Sequence, residues 1–267
     1  MNKIISSVNN KGGCGKTTIA SNLAIDLVNN NKKVLLIDLD GLCCINYIFN
    51  KSKNQIQDIN IFSFLSKKLD LYKCIIKLED KLDYLPASDK LQQFDIEQHH
   101  NNLKTNFIEF FNWLKNSSEY DYIVIDSSPQ MSNLNKLIIE LSDLVVVPFE
   151  IEQTNLFSLI STIQFISSKN QICKILMLPN KCRIDNLTGE LKLNKIDKEI
   201  YDQATNTILA NCKNAILSDA KIINSSQFKN SIAKYNLPLL AINSNSKIYK
   251  KAKKCINNLT NLILNLE

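Results

Sequence analysis

Residues Asn9 to Thr18 read N-N-K-G-G-C-G-K-T-T and gather three of the chain's five glycines, two lysines and two threonines into ten positions. That combination suits gripping a phosphate. Glycines let backbone N–H groups converge where a Cβ would collide, and a following helix N-terminus adds its dipole. Lys16 adds a charge, and Thr17 offers a hydroxyl to Mg²⁺. The generic spacing G-x-x-x-x-G-K-[ST] is not met in full. Asn10 stands where its first glycine belongs, and Lys11 directly precedes the glycine pair.

Three other positions put reactive side chains at the ends of apolar runs. V-L-L-I-D-L-D (Val34 to Asp40) delivers Asp38 and Asp40, I-V-I-D delivers Asp126, and L-P-N-K delivers Asn180. A carboxylate near a γ-phosphate can position an attacking water. One that follows a hydrophobic strand, as Asp126 does, can hold Mg²⁺ through water opposite Thr17. The Asn180 amide pairs a donor with an acceptor and so suits adenine. An asparagine after Pro179 suits a plain turn equally well.

These positions need a scaffold, and the hydrophobic pattern supplies one. Apolar runs at Ile4 to Val8, Val34 to Asp40, Lys81 to Ser88, Tyr120 to Asp126, Asp143 to Pro148 and Lys174 to Leu178 read as strands. Between them fall helical stretches at Ile19 to Val28, Ile59 to Lys68, Leu103 to Leu114 and Asn133 to Leu141, and a stripe of Leu156, Leu159, Ile160, Ile163 and Ile166. Strands alternating with helices predict right-handed crossovers and a doubly wound, mostly parallel α/β sheet with helices on both faces. Ligands of such sheets sit at the carboxyl ends of the strands, where the reactive residues fall. No Pro/Gly/Ser linker interrupts the chain, so residues 1–267 are expected to form one domain. Ile184 to Lys198, rich in Lys and Asn, reads as a surface excursion.

The eight cysteines include no C-x-x-C pair and are expected to be reduced thiols. No apolar run approaches a membrane span, and the first residues read as a strand rather than a signal peptide. The net charge of +6 is unevenly placed. Residues 220–267 hold eight lysines against the single acid Glu267 and carry +7, while the first 219 residues carry −1. Lys247, Lys250, Lys251, Lys253 and Lys254 crowd one predicted helix, a pattern that suits DNA phosphates.

K-G-G-x-G-K-[ST]-T is the deviant phosphate loop, and the chain resembles the ParA/MinD family of dimerising ATPases that carry it. The resemblance extends through L-I-D-L-D, L-P-A-S, Y-D-Y-I-V-I-D-S-S-P and S-D-L-V-V-V-P-F-E (Ser142 to Glu150), most of the chain. It implies ATP/ADP and Mg²⁺ as ligands, held by Lys11, Gly12, Gly13, Cys14, Gly15, Lys16, Thr17 and Thr18. Lys11 would reach a partner subunit's nucleotide, and Lys16 would hold the β- and γ-phosphates of its own. Asp40 would position the water, Asp38 would support the Mg²⁺ and Lys16 environment, and Asn180 and Pro148 would flank the base. Two departures stand out. Asp40-Gly41-Leu42 replaces the family's D-P-Q, removing a polar contact and freeing the backbone. Asp126-Ser127-Ser128-Pro129 replaces its D-T-P-P.

The expected function is therefore that of a ParA-type partition ATPase. An ATP-bound homodimer would bind DNA nonspecifically, and a ParB-like centromere-binding protein would stimulate its hydrolysis. The setting would be cytoplasmic and nucleoid-associated. A MinD-like membrane role is the alternative, since Ile256, Leu259, Ile263 and Leu266 form an apolar stripe. That stripe lacks aromatic anchors and reads better as a core helix. A scaffold that binds ATP with little hydrolysis is a further alternative. An iron–sulfur relative is excluded, because no cysteine falls between Cys74 and Cys173.

Overall fold

The computed structural model describes residues 2–52, 56–91, 97–130, 132–185, 188 and 190–266, with backbone alone for 97–101. The strands are β1 (Lys3–Ser7), β2 (Val34–Leu39), β3 (Ile76–Glu79), β4 (Leu82–Leu85), β5 (Tyr122–Ser127), β6 (Leu144–Phe149), β7 (Lys174–Pro179) and β8 (Ala215–Leu217). They form a sheet of order β3-β4-β2-β5-β1-β6-β7-β8. All neighbours pair in parallel except β3 with β4. This is the predicted doubly wound α/β architecture.

β2, β5 and β6 are buried at every residue. A strand covered on both faces has no polar side to show, so its sequence is a continuous apolar run. Alternate residues serve opposite faces. Leu36 and Val124 join the layer formed by α1 (Lys16–Asn29) and the C-terminal helix α10 (Lys247–Asn265). Leu35, Ile37, Ile123 and Ile125 face α5 (Glu97–Asn116) and α6 (Asn133–Leu141). The same side continues under α7 (Gln153–Lys169) and α8 (Lys195–Asn211). Shorter helices are α2 (Cys44–Ile48), α3 (Ile61–Leu65), α4 (Leu71–Cys74) and α9 (Gln227–Tyr235).

Three expectations shift. The helix expected over Ile59 to Lys68 is shorter, because the Asn60 side chain accepts from Ser63 N–H and caps α3 there. The excursion expected over 184–198 ends early, because Asn194 accepts from Asp197 N–H and opens α8. That helix buries Tyr201, Ala204, Thr205 and Ile208 at helical spacing. The edge strands β3 and β8 add to the six expected from the apolar runs. β3 alternates half-buried Ile76 and Leu78 with exposed Lys77 and Glu79, the pattern of an antiparallel edge rather than a buried strand.

The C-terminal apolar stripe is core, as its lack of aromatic anchors suggests. Ile256, Leu259 and Ile263 pack in the layer shared with α1. Among the described residues no helix is long and apolar enough to cross a membrane.

Candidate functional site

β1, β5 and β2 lie side by side, so the residues at their carboxyl ends meet. The register sets Asp126 level with both Ser7 and Asp38. The loop after β1 turns into α1 through Gly13 at φ +75° and Gly15 at φ +101°, left-handed values that L side chains rarely hold. Gly12 and Gly13 border open space. Gly15 is closed in, because a Cβ there would lie 2.3 Å from Asn180 Nδ2. Among the described residues no side chain caps the start of α1, which leaves its first N–H groups for an anion.

Lys16 is buried at 6 % exposure. Among the described residues its ammonium hydrogen-bonds only the Lys11 carbonyl, at 3.2 Å. An ammonium has three protons to donate, so this buried cation retains capacity for phosphate oxygens. Lys11 is held differently. Its Nζ donates to Asn155 Oδ1 on α7, while Asn155 Nδ2 donates to Glu152 Oε2 at 3.2 Å. In this conformation the lysine lies against its own subunit.

The three aspartates separate into distinct environments. Burial drives the Asp126 carboxyl up to about 7, and the charge of Asp40 acts the same way, against the Thr17 hydroxyl and Lys16. Among the described residues neither Asp126 oxygen accepts a closed hydrogen bond. An orphaned buried carboxylate facing a threonine hydroxyl fits a divalent cation. Among the described residues no three acidic, imidazole or thiol groups form a cage by themselves. Mg²⁺ commonly takes one or two carboxylates and completes its shell with water and substrate phosphate. Asp38, fully buried, is driven well above the carboxylate range by burial and by the charges of Asp126 and Asp40. Its Oδ1 accepts from the Asp40 N–H at 3.0 Å. Asp40 is buried at 8 % exposure, and its Oδ1 accepts from Leu42 N–H at 3.0 Å.

Asn180 is engaged by the protein at both ends of its amide. Nδ2 donates to the Cys14 carbonyl at 2.6 Å, and Oδ1 accepts from Lys181 N–H at 2.8 Å. Lys181 adds a second brace, from Nζ to the Gly13 carbonyl at 2.8 Å and to Glu150 at 2.6 Å. The β7 end thus holds the phosphate loop in shape. Pro148 lies buried within β6, and its carbonyl accepts from Asn9 Nδ2 at 2.8 Å. Asn9, 2 % exposed, also accepts from Lys11 N–H at 3.0 Å. Cys14 is buried, and burial pushes its thiol up, leaving a small neutral filler.

Sequence reasoning misses Asn9, Asn155, Lys181 and Asn135. The last donates from Nδ2 to the Ser128 carbonyl at 2.8 Å and anchors the loop after Asp126. Only Asn9 leaves a readable signal, as a polar residue ending an apolar strand beside the glycines.

Of the five lysines singled out in the C-terminal segment, Lys247, Lys250, Lys251 and Lys254 are exposed on α10. Lys253 is turned inward. Its Nζ donates to the Ile242 carbonyl, and burial lowers its pKa.

A family model describing an AAA domain, AAA_31, matches residues 2–175. "ParA family protein" of Mycoplasma pneumoniae is 31 % identical over 214 residues, covering 73 % of this chain and 78 % of that protein. The chain belongs to the ParA/MinD family of P-loop ATPases. "ParA family protein MG470" of Mycoplasma genitalium is 27 % identical over 260 residues, 92 % of each chain. Among solved structures, a putative plasmid partition protein from Borrelia burgdorferi B31 bound to AMPPNP superposes with a TM-score of 0.74 at 26 % identity, covering 100 % of both chains. The architecture derived from the strand pattern is therefore that of a ParA/MinD ATPase, and the family role is that of a partition or positioning ATPase.

Proposed function

We propose that this ParA/MinD member binds ATP with Mg²⁺ in the loop from Lys11 to Thr18, pairs with a second copy in that state, and hydrolyses the nucleotide to separate. The observation that carries the reading is the convergence of Lys16, Thr17, Asp40 and the orphaned Asp126 carboxylate around an uncapped helix N-terminus. Lys16 trades its contact with the Lys11 carbonyl for β- and γ-phosphate oxygens. Thr17 and Asp126 hold Mg²⁺, which neutralises developing phosphate charge when bound. Asp40, positioned by Asp38, aligns the attacking water. Lys11 leaves Asn155 and reaches the partner's nucleotide.

The paired form binds DNA without sequence preference through exposed lysines of α10, and a ParB-like centromere-binding protein stimulates turnover. An acid-poor helix on an otherwise near-neutral chain supports this partner over a lipid surface, since the apolar stripe of that helix is spent on α1. One observation favours slow turnover. Leu42, 74 % exposed, gives an apolar side chain where the resemblance implies a polar one.

The test is size measurement by light scattering together with DNA retention, with ADP and with a non-hydrolysable ATP analogue. Dimers that retain DNA only with the analogue support the reading, and a monomer under saturating analogue and Mg²⁺ overturns it. Lys11→Ala is expected to bind nucleotide and remain monomeric.

A further inference from the structure

The segment that follows Asp40 is loose at its start, where a glycine takes the first position. Gly41 gives the backbone freedom, and Cys43 sits at φ +54°, a left-handed value costly for a residue with a Cβ. The short helix α2 begins immediately afterwards. Something must hold this stretch if Asp40 is to stay in one place.

The restraint comes from below, out of the sheet. Tyr84, on β4, is fully buried. Its hydroxyl donates to Asn46 Oδ1 on α2 at 2.6 Å and lies 3.5 Å from Asp38 Oδ2. Asn46 is itself 6 % exposed. The other oxygen of Asp38 accepts the Asp40 N–H at 3.0 Å. The segment 40–46 is therefore pinned at both ends to one buried point, through its backbone at Asp40 and through the Asn46 side chain. Phe49 packs on the same ring with centroids 6.3 Å apart. A phenol has one proton to give, and in this geometry the nearer acceptor, Asn46, takes it. β4 neighbours β2, and among the described residues the hydroxyl's hydrogen-bond partners are Asn46 and Asp38, neither of them in the phosphate loop.

We propose that Tyr84 is a positioning residue for ATP hydrolysis, its hydroxyl fixing Asn46 and with it the segment that carries Asp40. The proposal rests on the reading of Asp40 as the water-aligning group. It assigns to Tyr84 no contact with nucleotide, so its loss acts on the chemical step and spares binding.

The experiment compares wild type, Tyr84→Phe, Asn46→Ala and the double variant by steady-state ATP turnover and by amide hydrogen exchange. Tyr84→Phe keeps the buried ring and removes one hydrogen bond. In Tyr84→Phe, kcat is expected to fall about tenfold with KM for ATP within about twofold. Exchange across residues 40–48 is expected to accelerate about tenfold while residues 122–127 stay at the wild-type rate. The double variant is expected to be no slower than the worse single variant, because both changes delete the same hydrogen bond. Unchanged exchange across 40–48 overturns the proposal, as does acceleration that spreads equally into 122–127. A fall in kcat matched by an equal rise in KM overturns it as well. If Tyr84→Phe does not fold, Asn46→Ala reports on the same hydrogen bond from its other end. A wild-type protein that hydrolyses no ATP under any condition sinks the proposed function instead, and the exchange data still decide whether Tyr84 holds the segment.

Discussion

Gly15 is constrained twice, by its backbone angle and by the Asn180 amide packed where a Cβ would go. Gly15→Ala must either push Asn180 off the Cys14 carbonyl or flatten the loop. The expected result is a stability loss of about 1–3 kcal/mol, the cost of one strained residue, together with loss of ATP binding by calorimetry. Asp126 makes a different prediction. The folded protein keeps its proton up to about pH 7, whereas the ordinary value is 3.8. Between those limits the folded state binds the extra proton, so the Asp126 contribution to stability falls as pH rises from about 4 to about 7 and then levels. Asp126→Asn is expected to flatten that slope in melts of the nucleotide-free protein and to abolish the stabilisation that Mg²⁺ adds to bound ATP. A slope unchanged by the substitution would place the titration elsewhere. The contiguous loop is legible at this scale because its chemistry is local, a run of glycines and lysines between a strand and a helix. Asn155, Tyr84 and Asn46 are not, because nothing within a few residues of each says what it will touch.

At the scale of elements, α10 carries two separable faces. Ile256, Leu259 and Ile263 are buried against the α1 layer, and Leu259→Ala is expected to cost about 2–5 kcal/mol in denaturant unfolding, the usual range for a core truncation. The opposite face carries Lys250, Lys251 and Lys254, exposed. Replacing Lys250 and Lys254 with alanine is expected to leave stability unchanged. It should also flatten the salt dependence of the proposed DNA binding, by about 0.9 in log–log slope for each phosphate that the variant no longer neutralises. Lys253→Ala should do the reverse, since its ammonium holds the Ile242 carbonyl. Helix periodicity places α10 from sequence, but which lysine turns inward depends on the chain around Ile242, eleven residues away. α8 is hidden for a related reason. Its buried positions are Tyr201, Ala204, Thr205 and Ile208, only two of them large and apolar, so the stripe that packs is faint in the sequence. The central strands are plain because burial on both faces demands unbroken apolar runs, whereas β3 alternates and β8 is three residues long.

For the whole molecule, sheet order is what turns separate motifs into one site. β2 and β5 are distant in sequence and adjacent in space, and their pairing is what sets Asp38 level with Asp126. Each of the six strands expected from the apolar runs can be read from its own residues, whereas their order is set by which strands pair across the sheet. The same wholeness bears on assembly. In the conformation described, Asn155 and Glu152 keep Lys11 occupied within its own subunit. A lysine that stays with Asn155 offers its neighbour no outstretched cation, so crowding the solution is no substitute for fuel. Self-association should stay flat across a dilution series of nucleotide-free protein and become steep once the loop is filled, making occupancy rather than abundance the quantity a cell would adjust.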